Sequence, residues 1–131
     1  NKTTMLEQFQ VNTLGAIDFI MALQEKLHDG SKIAVISSRM GSIADNSSGG
    51  RYGYRMSKAA LNAAAKSLSI DVKDRGIAVA ILHPGLVATD MTDHRGIAVN
   101  ESCQQLIERI AACDLSHSGT FWHASGEVLP W

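Results

Sequence analysis

The sequence predicts an α/β domain, a parallel sheet of about three strands with flanking helices, and three observations carry that prediction. "KIAVIS" at 32–37 and "IAVAIL" at 77–82 are short β-branched runs without polar alternation, the pattern of strands covered on both faces. "GTFWHA" near the C-terminus is a third strand candidate. Helical segments precede and separate these runs, and the order helix, strand, helix, strand, helix, strand gives a parallel sheet through right-handed crossovers.

The first helix is expected over 5–28. Thr4 with Glu7 three residues on has capping-box spacing, and Asp29-Gly30 supplies a stop. Its apolar residues, among them Leu6, Phe9, Leu14, Phe19 and Met21, cover more than one stripe. A helix packed on one surface needs only one, so a second surface, such as another subunit, is implied. The strand at 32–37 leads into a Gly/Ser-rich loop, Gly41 to Gly53, and then an alanine-rich helix over 54–74 that stops near Arg75-Gly76. After the strand at 77–82 come a loop started by Pro84 and a helix of roughly 100–112. No internal repeat, linker or low-complexity segment interrupts this plan, so residues 1–131 read as one domain.

Composition narrows the partners. With 45% hydrophobic and 19% charged residues and a formal charge of -1, the chain has no bulk charge to hold nucleic acid or a membrane surface. "GAIDFIMAL", interrupted by Asp18, is too short to cross a bilayer, and the N-terminus has no secretory-signal pattern. Cys103 and Cys113 lack C-x-x-C spacing, and we read them as reduced, buried thiols of a cytoplasmic protein. His28, His83, His94, His117 and His123 have no metal-ligand spacing, so no metal site is expected.

Chemistry concentrates around "SGGRYGYRMSKAALN". Tyr54 and Lys58 are four apart and share one helix face. Free tyrosine loses its proton near pH 10, and a lysine cation close by favours the phenolate. Tyr52 has Met56 at the matching position and is read as a loop or pocket-wall residue. Ser37 and Ser38 fall at the carboxyl end of the first strand, the edge where open α/β sheets place ligands. "HPGLVATDM" falls at the same edge of the second strand: Pro84 and Gly85 make the turn, and Thr89 offers a hydroxyl.

Asn12 in "FQVNTLGA", "ISS" at 36–38, Tyr54-x-x-x-Lys58 followed by "AALN", and Pro84-Gly-x-Val-x-Thr89 together resemble the second half of the short-chain dehydrogenase/reductase family. The "NSSGG" loop, "YGYRMSKAALN" and the ending "LPW" are similar to its C-factor-like branch. The resemblance covers essentially the whole chain. It implies a partial Rossmann-like sheet and hydride transfer between NAD or NADP and a small carbonyl or alcohol substrate. On that resemblance Tyr54 is the general acid or base, Lys58 lowers its pKa and holds the nicotinamide ribose, and Ser38 polarises the carbonyl, with Ser37 the less favoured claimant. Asn12 helps hold a proton-relay water, and Val87 and Thr89 beside the Pro84-Gly85 turn hold the nicotinamide carboxamide.

The family's N-terminal nucleotide-binding half has no counterpart here. "SGGRYG" at 48–53 has serine where G-x-G-x-x-G needs glycine and follows a loop instead of a strand, so it reads as a loop beside the substrate. The expectation is an incomplete chain that binds dinucleotides poorly by itself. The alternative is a non-enzymatic oligomerisation or interaction module derived from the family. A homo-oligomer is expected in either case, through an exposed sheet edge or the helices at 5–28 and 54–74. Among the remaining residues, His83 is read as structural, Trp122 and Trp131 as core or interface filling, and Asp90 and Asp93 as caps or solvated charges. His94 and Arg95 could approach a substrate.

Overall fold

The computed structural model describes all of Asn1–Trp131. It comprises α1 (Lys2–Phe9), α2 (Gly15–Leu23), β1 (Lys32–Ile36), α3 (Tyr52–Asp71), β2 (Ala78–His83), α4 (Val99–Ala112) and β3 (Phe121–His123). The three strands form one parallel sheet in the order β1-β2-β3, with Val35 beside Ile81 and Ile81 beside Phe121. The Rossmann-like parallel arrangement is as expected. No helix is long and apolar enough to cross a membrane.

The first helical segment is a single rod with a defect. Gln10–Leu14 forms a π-helical turn between α1 and α2, closed by the Gly15 N–H on the Gln10 carbonyl. Its cap is Asn1, whose side chain accepts from the Thr4 N–H at 2.9 Å, so Thr4 lies inside the first turn and the expected Thr4/Glu7 capping box is not what opens the helix. The rod ends at Leu27 in extended backbone, before Asp29-Gly30.

Helices α2 and α3 cover one face of the sheet, and α1 packs against α3. Ile33, Val35, Val79, Ile81 and Phe121 meet Leu61 and Ala65 of α3 there, with Ile20 of α2 packed against them. On the other face Ala78, Ala80 and Leu82 meet Leu106 and Ile110 of α4 and Trp122. Each fully buried Ile or Leu at the centre of β2 contributes about 1.5–3 kcal/mol of gross burial energy.

β2 is therefore covered on both faces, as its apolar run predicted, but β1 is not. Its residues alternate, with Ile33 and Val35 buried and Lys32, Ala34 and Ile36 exposed. The reason is the reach of α4, which packs on β2 and leaves the far face of β1 bare. Lys32 bridges part of that gap, donating from Nζ to the Ile110 and Ala111 carbonyls at 2.9 and 2.7 Å. These are end-of-helix acceptors that favour a cation.

The two thiols also differ. α4 faces the sheet through Ser102, Leu106 and Ile110, at helical spacing, so Cys103 falls one position off that face and is exposed, while Cys113 is buried at the helix end. Burial raises the Cys113 thiol pKa. Trp131 stacks on Phe121 at 5.5 Å, and its carbonyl accepts from the Ala44 N–H at 2.8 Å, pinning the C-terminus under the loop that follows β1.

Candidate active site

The carboxyl ends of β1 and β2 open onto one groove of about 710 Å3, walled also by the start of α3 and the loop after β2. Ser37, Ser38, Tyr52, Tyr54, His83, Pro84 and Gly85 line it. A second cleft of about 370 Å3 between α2 and α3 is lined mainly by Ile, Leu and Ala and offers no converging polar groups.

The two serines are not equivalent. Ser37 is 3% exposed, and its hydroxyl donates to Asn62 Oδ1 at 2.5 Å, so its proton is committed inside the protein. Ser38, two residues past the strand in extended backbone, caps the short turn Arg39–Gly41, its Oγ accepting from the Met40 N–H at 3.1 Å. A hydroxyl has one proton and two acceptor positions. Ser38 therefore keeps its proton free to donate into the groove.

Tyr54 lies in the first turn of α3, which begins at Tyr52, earlier than expected. Arg51 turns the chain into that helix from a left-handed conformation (φ 50°, ψ 46°). The Tyr54 hydroxyl makes no hydrogen bond within the chain. Lys58 Nζ is 5.9 Å from its ring centroid and donates to the Ile36 carbonyl at 3.2 Å. Burial pushes the Lys58 pKa below the usual lysine range. Gly41 makes this packing possible: a Cβ there would stand 2.9 Å from the Lys58 carbonyl carbon.

Not every candidate reaches the groove wall. Asn12, Lys58, Val87 and Thr89 lie outside the lining. Asn12 sits in the π-helical turn, a feature frequent at functional sites, and its Nδ2 donates to Ser57 Oγ at 3.1 Å. In the loop after β2, the Val87 carbonyl accepts from Thr89 N at 2.8 Å, while the Val87 N–H has no backbone acceptor. Gly85 takes φ 86°, and a side chain there would meet the His123 ring.

Several lining residues carried no signal in the sequence. His83 is one: its ring stands edge-on to His123 at 5.2 Å, and its Nδ1 is buried without a partner. Burial, with smaller contributions from His123 and Arg39, lowers its pKa to about 4, so it is neutral at physiological pH. His123 accepts at Nδ1 from the Ser125 N–H at 3.0 Å. The pairing joins residues from the ends of two strands, which only the fold brings together. Gln8, Arg39 and Arg51 also reach the groove from separate elements.

A family model described as enoyl-(acyl carrier protein) reductase matches residues 1–117. The chain is 40% identical over 129 residues to 1-hydroxy-2-glutathionyl-2-methyl-3-butene dehydrogenase of Rhodococcus sp. strain AD45, covering 95% of this chain and 57% of that protein. It is 38% identical over 130 residues to C-signal of Myxococcus xanthus, covering 97% and 78%. Among solved structures it superposes on the carbonyl reductase Sniffer of D. melanogaster with a TM-score of 0.92 at 34% identity. An NADPH-bound carbonyl reductase from chicken fatty liver gives 0.88 at 31%. All of this chain is covered in both superpositions, against 58% of each of those chains.

Proposed function

The chain belongs to the short-chain dehydrogenase/reductase family, and from that premise we propose that residues 1–131 form the catalytic portion of an NAD(P)-dependent oxidoreductase acting on a small carbonyl or alcohol. One observation carries the reading: Ser38 and Tyr54 present uncommitted hydroxyls to a single groove at the carboxyl edge of a parallel sheet. Reduction of a carbonyl builds negative charge on its oxygen, which calls for a hydrogen-bond donor and a proton source. Ser38 is the donor and Tyr54 the source. Lys58 favours the phenolate that Tyr54 becomes, and in the oxidative direction the same phenolate takes the alcohol proton.

A bound nicotinamide dinucleotide supplies or accepts the hydride. The residues present fit its nicotinamide end. The unpaired Val87 N–H, Thr89 and the Pro84-Gly85 turn are suited to its carboxamide, and Tyr54 and Lys58 to its ribose. No glycine-rich strand-to-helix turn is available for the pyrophosphate. We therefore read the 131 residues as a weak dinucleotide binder by themselves, working with nucleotide-binding elements beyond those described.

The test is to join a nucleotide-binding half from the family and assay a generic aldehyde with NADH and NADPH. Turnover that falls by about 10²–10⁴ in Tyr54→Phe is expected. A folded, cofactor-binding chimaera without turnover would overturn the reading in favour of an interaction module. We also propose self-association through the exposed apolar side of α1 and α2, and a cytoplasmic setting, which suits two unpaired thiols.

A further inference from the structure

We propose that the groove selects carbonyl substrates bearing an anionic group, and that Arg51 and Arg95 hold that group. The inference rests on the reductase reading of the same groove and specifies its substrate class. Of the sixteen lining residues, Arg39, Arg51 and Arg95 are basic and none is Asp or Glu.

The three arginines differ in what already holds them. Arg39 is neutralised by Asp45 at 3.0 Å and Glu127 at 3.5 Å. Arg51 and Arg95 meet no carboxylate within ion-pair distance. Arg95 gives its Nε to the Thr92 carbonyl at 3.0 Å, leaving both terminal nitrogens free. Arg51 has only a 3.9 Å contact to the Met40 sulfur, a weak acceptor.

Two of the three arginines away from the groove behave differently, while the third, Arg109 on α4, has a buried Nε without a partner. Arg55 gives its donors to Gly50, Ser48 and Gly49, and Arg75 to the carbonyls of Gln24 and Leu27. Those two stitch the chain together, whereas Arg51 and Arg95 line the groove with donors unspent, one at the start of α3 and the other in the loop after β2. α3 has no side-chain cap, so the first-turn N–H groups of this twenty-residue helix add positive potential at the same mouth. A planar guanidinium matches a carboxylate or phosphate with two parallel hydrogen bonds. Arg51, Tyr54 and Ser38 line the same groove, so an anion held at Arg51 leaves the rest of a small substrate to lie toward the Tyr54 and Ser38 hydroxyls.

The test compares 4-carboxybenzaldehyde with its neutral methyl ester, methyl 4-formylbenzoate, titrated into the 131-residue chain at low ionic strength and followed by NMR. Binding of the acid about tenfold tighter than the ester is expected. The Arg51→Gln, Arg95→Gln double variant is expected to erase the difference, and the corresponding double Lys variant, which keeps the charge without the planar fork, to retain only part of it. Equal affinities, or no saturable binding of either aldehyde, would overturn the proposal. Nicotinamide mononucleotide separates the two sources of an anion. Its affinity is expected to be unchanged by the Gln substitutions, and a loss parallel to that of the acid would reassign the arginines to the cofactor's phosphate. Tyr54→Phe is expected to leave the preference for the acid intact, so the reductase reading and this one fail in different experiments.

Discussion

Asn12 donates from Nδ2 to the hydroxyl of Ser57 at 3.1 Å, tying the π-helical turn of the first rod to the turn of α3 that carries Tyr54. The Ser57 hydroxyl in turn donates a hydrogen bond to the Tyr54 carbonyl at 2.8 Å. Thr13, next in the same π-helical turn, donates to the Ser57 carbonyl at 2.7 Å.

This relay separates two roles for Asn12. If it only anchors α3, Asn12→Ala and Ser57→Ala each cost about 1 kcal/mol of stability and change turnover alike. If it also holds a water in a proton relay, as the family resemblance implies, Asn12→Ala lowers turnover well beyond Ser57→Ala at the same loss of stability. We expect the second outcome, read from urea midpoints together with kcat in the chimaera.

Gly41 is a sharper test of how the site is packed. Its backbone is not left-handed, so alanine brings no torsional strain, but the new Cβ would lie 2.9 Å from the Lys58 carbonyl carbon and 2.9 Å from Asn62 Nδ2. Helix backbone cannot yield as a flexible side chain does. Gly41→Ala is expected to cost about 1–3 kcal/mol and, by displacing Lys58, to lower turnover as well. Thermal denaturation and the chimaera assay read the two effects separately.

Local signals made much of this legible. Two apolar runs located β1 and β2, and four-residue spacing put Tyr54 and Lys58 on one face of a helix, whereas α3 ends at Asp71 and Arg75-Gly76 closes a separate short turn at Lys73–Arg75. What escaped depends on contacts between distant segments. Ser37 is set apart from Ser38 by Asn62, 25 positions away, although the preference for Ser38 was already implied by the family pattern. The bare face of β1 follows from where α4 stops, which no periodicity in β1 encodes. The Thr4/Glu7 spacing competed with Asn1, whose side chain caps the Thr4 N–H and so opens the helix one turn earlier. Arg51 falls in a loop motif of the sequence, and only its unspent donors set it apart from Arg55, whose donors go to Ser48, Gly49 and Gly50.

The His83 ring makes stability depend on pH. Its folded pKa of about 4 lies below the ordinary value of 6.5, chiefly through burial. Between those values the unfolded chain binds a proton that the folded chain does not, so stability is full above pH 6.5 and falls as pH drops toward 4. The ring is partly open to solvent, which reduces the linkage to about 1–2 kcal/mol. Asp114 acts in a different window. Its pKa, lowered to about 2 by Ser116 and His117, removes stability only as pH falls from 3.8 toward 2. Urea midpoints from pH 7 to 4.5 are expected to decline in the parent and to flatten in His83→Asn. An unchanged slope in that variant would assign the decline to another group.

Self-association is the last expectation, and the magnitudes favour it. Leu6, Val11, Phe19 and Met21 along α1, the π-helical turn and α2 are 68%, 73%, 67% and 57% exposed. Fully burying one such side chain contributes about 1.5–3 kcal/mol, so a twofold contact that covers these four on both partners can exceed an association cost of about 4–15 kcal/mol. One partner alone does not reach the upper part of that range. Light scattering at millimolar chain is expected to give a dimer or larger species. Val11→Glu with Phe19→Glu should reduce it to a monomer of unchanged far-ultraviolet circular dichroism, since neither residue belongs to the core. An assembly indifferent to both substitutions would move the contact to the outer edge of β1, which pairs with no strand. A monodisperse parent monomer would count against both surfaces.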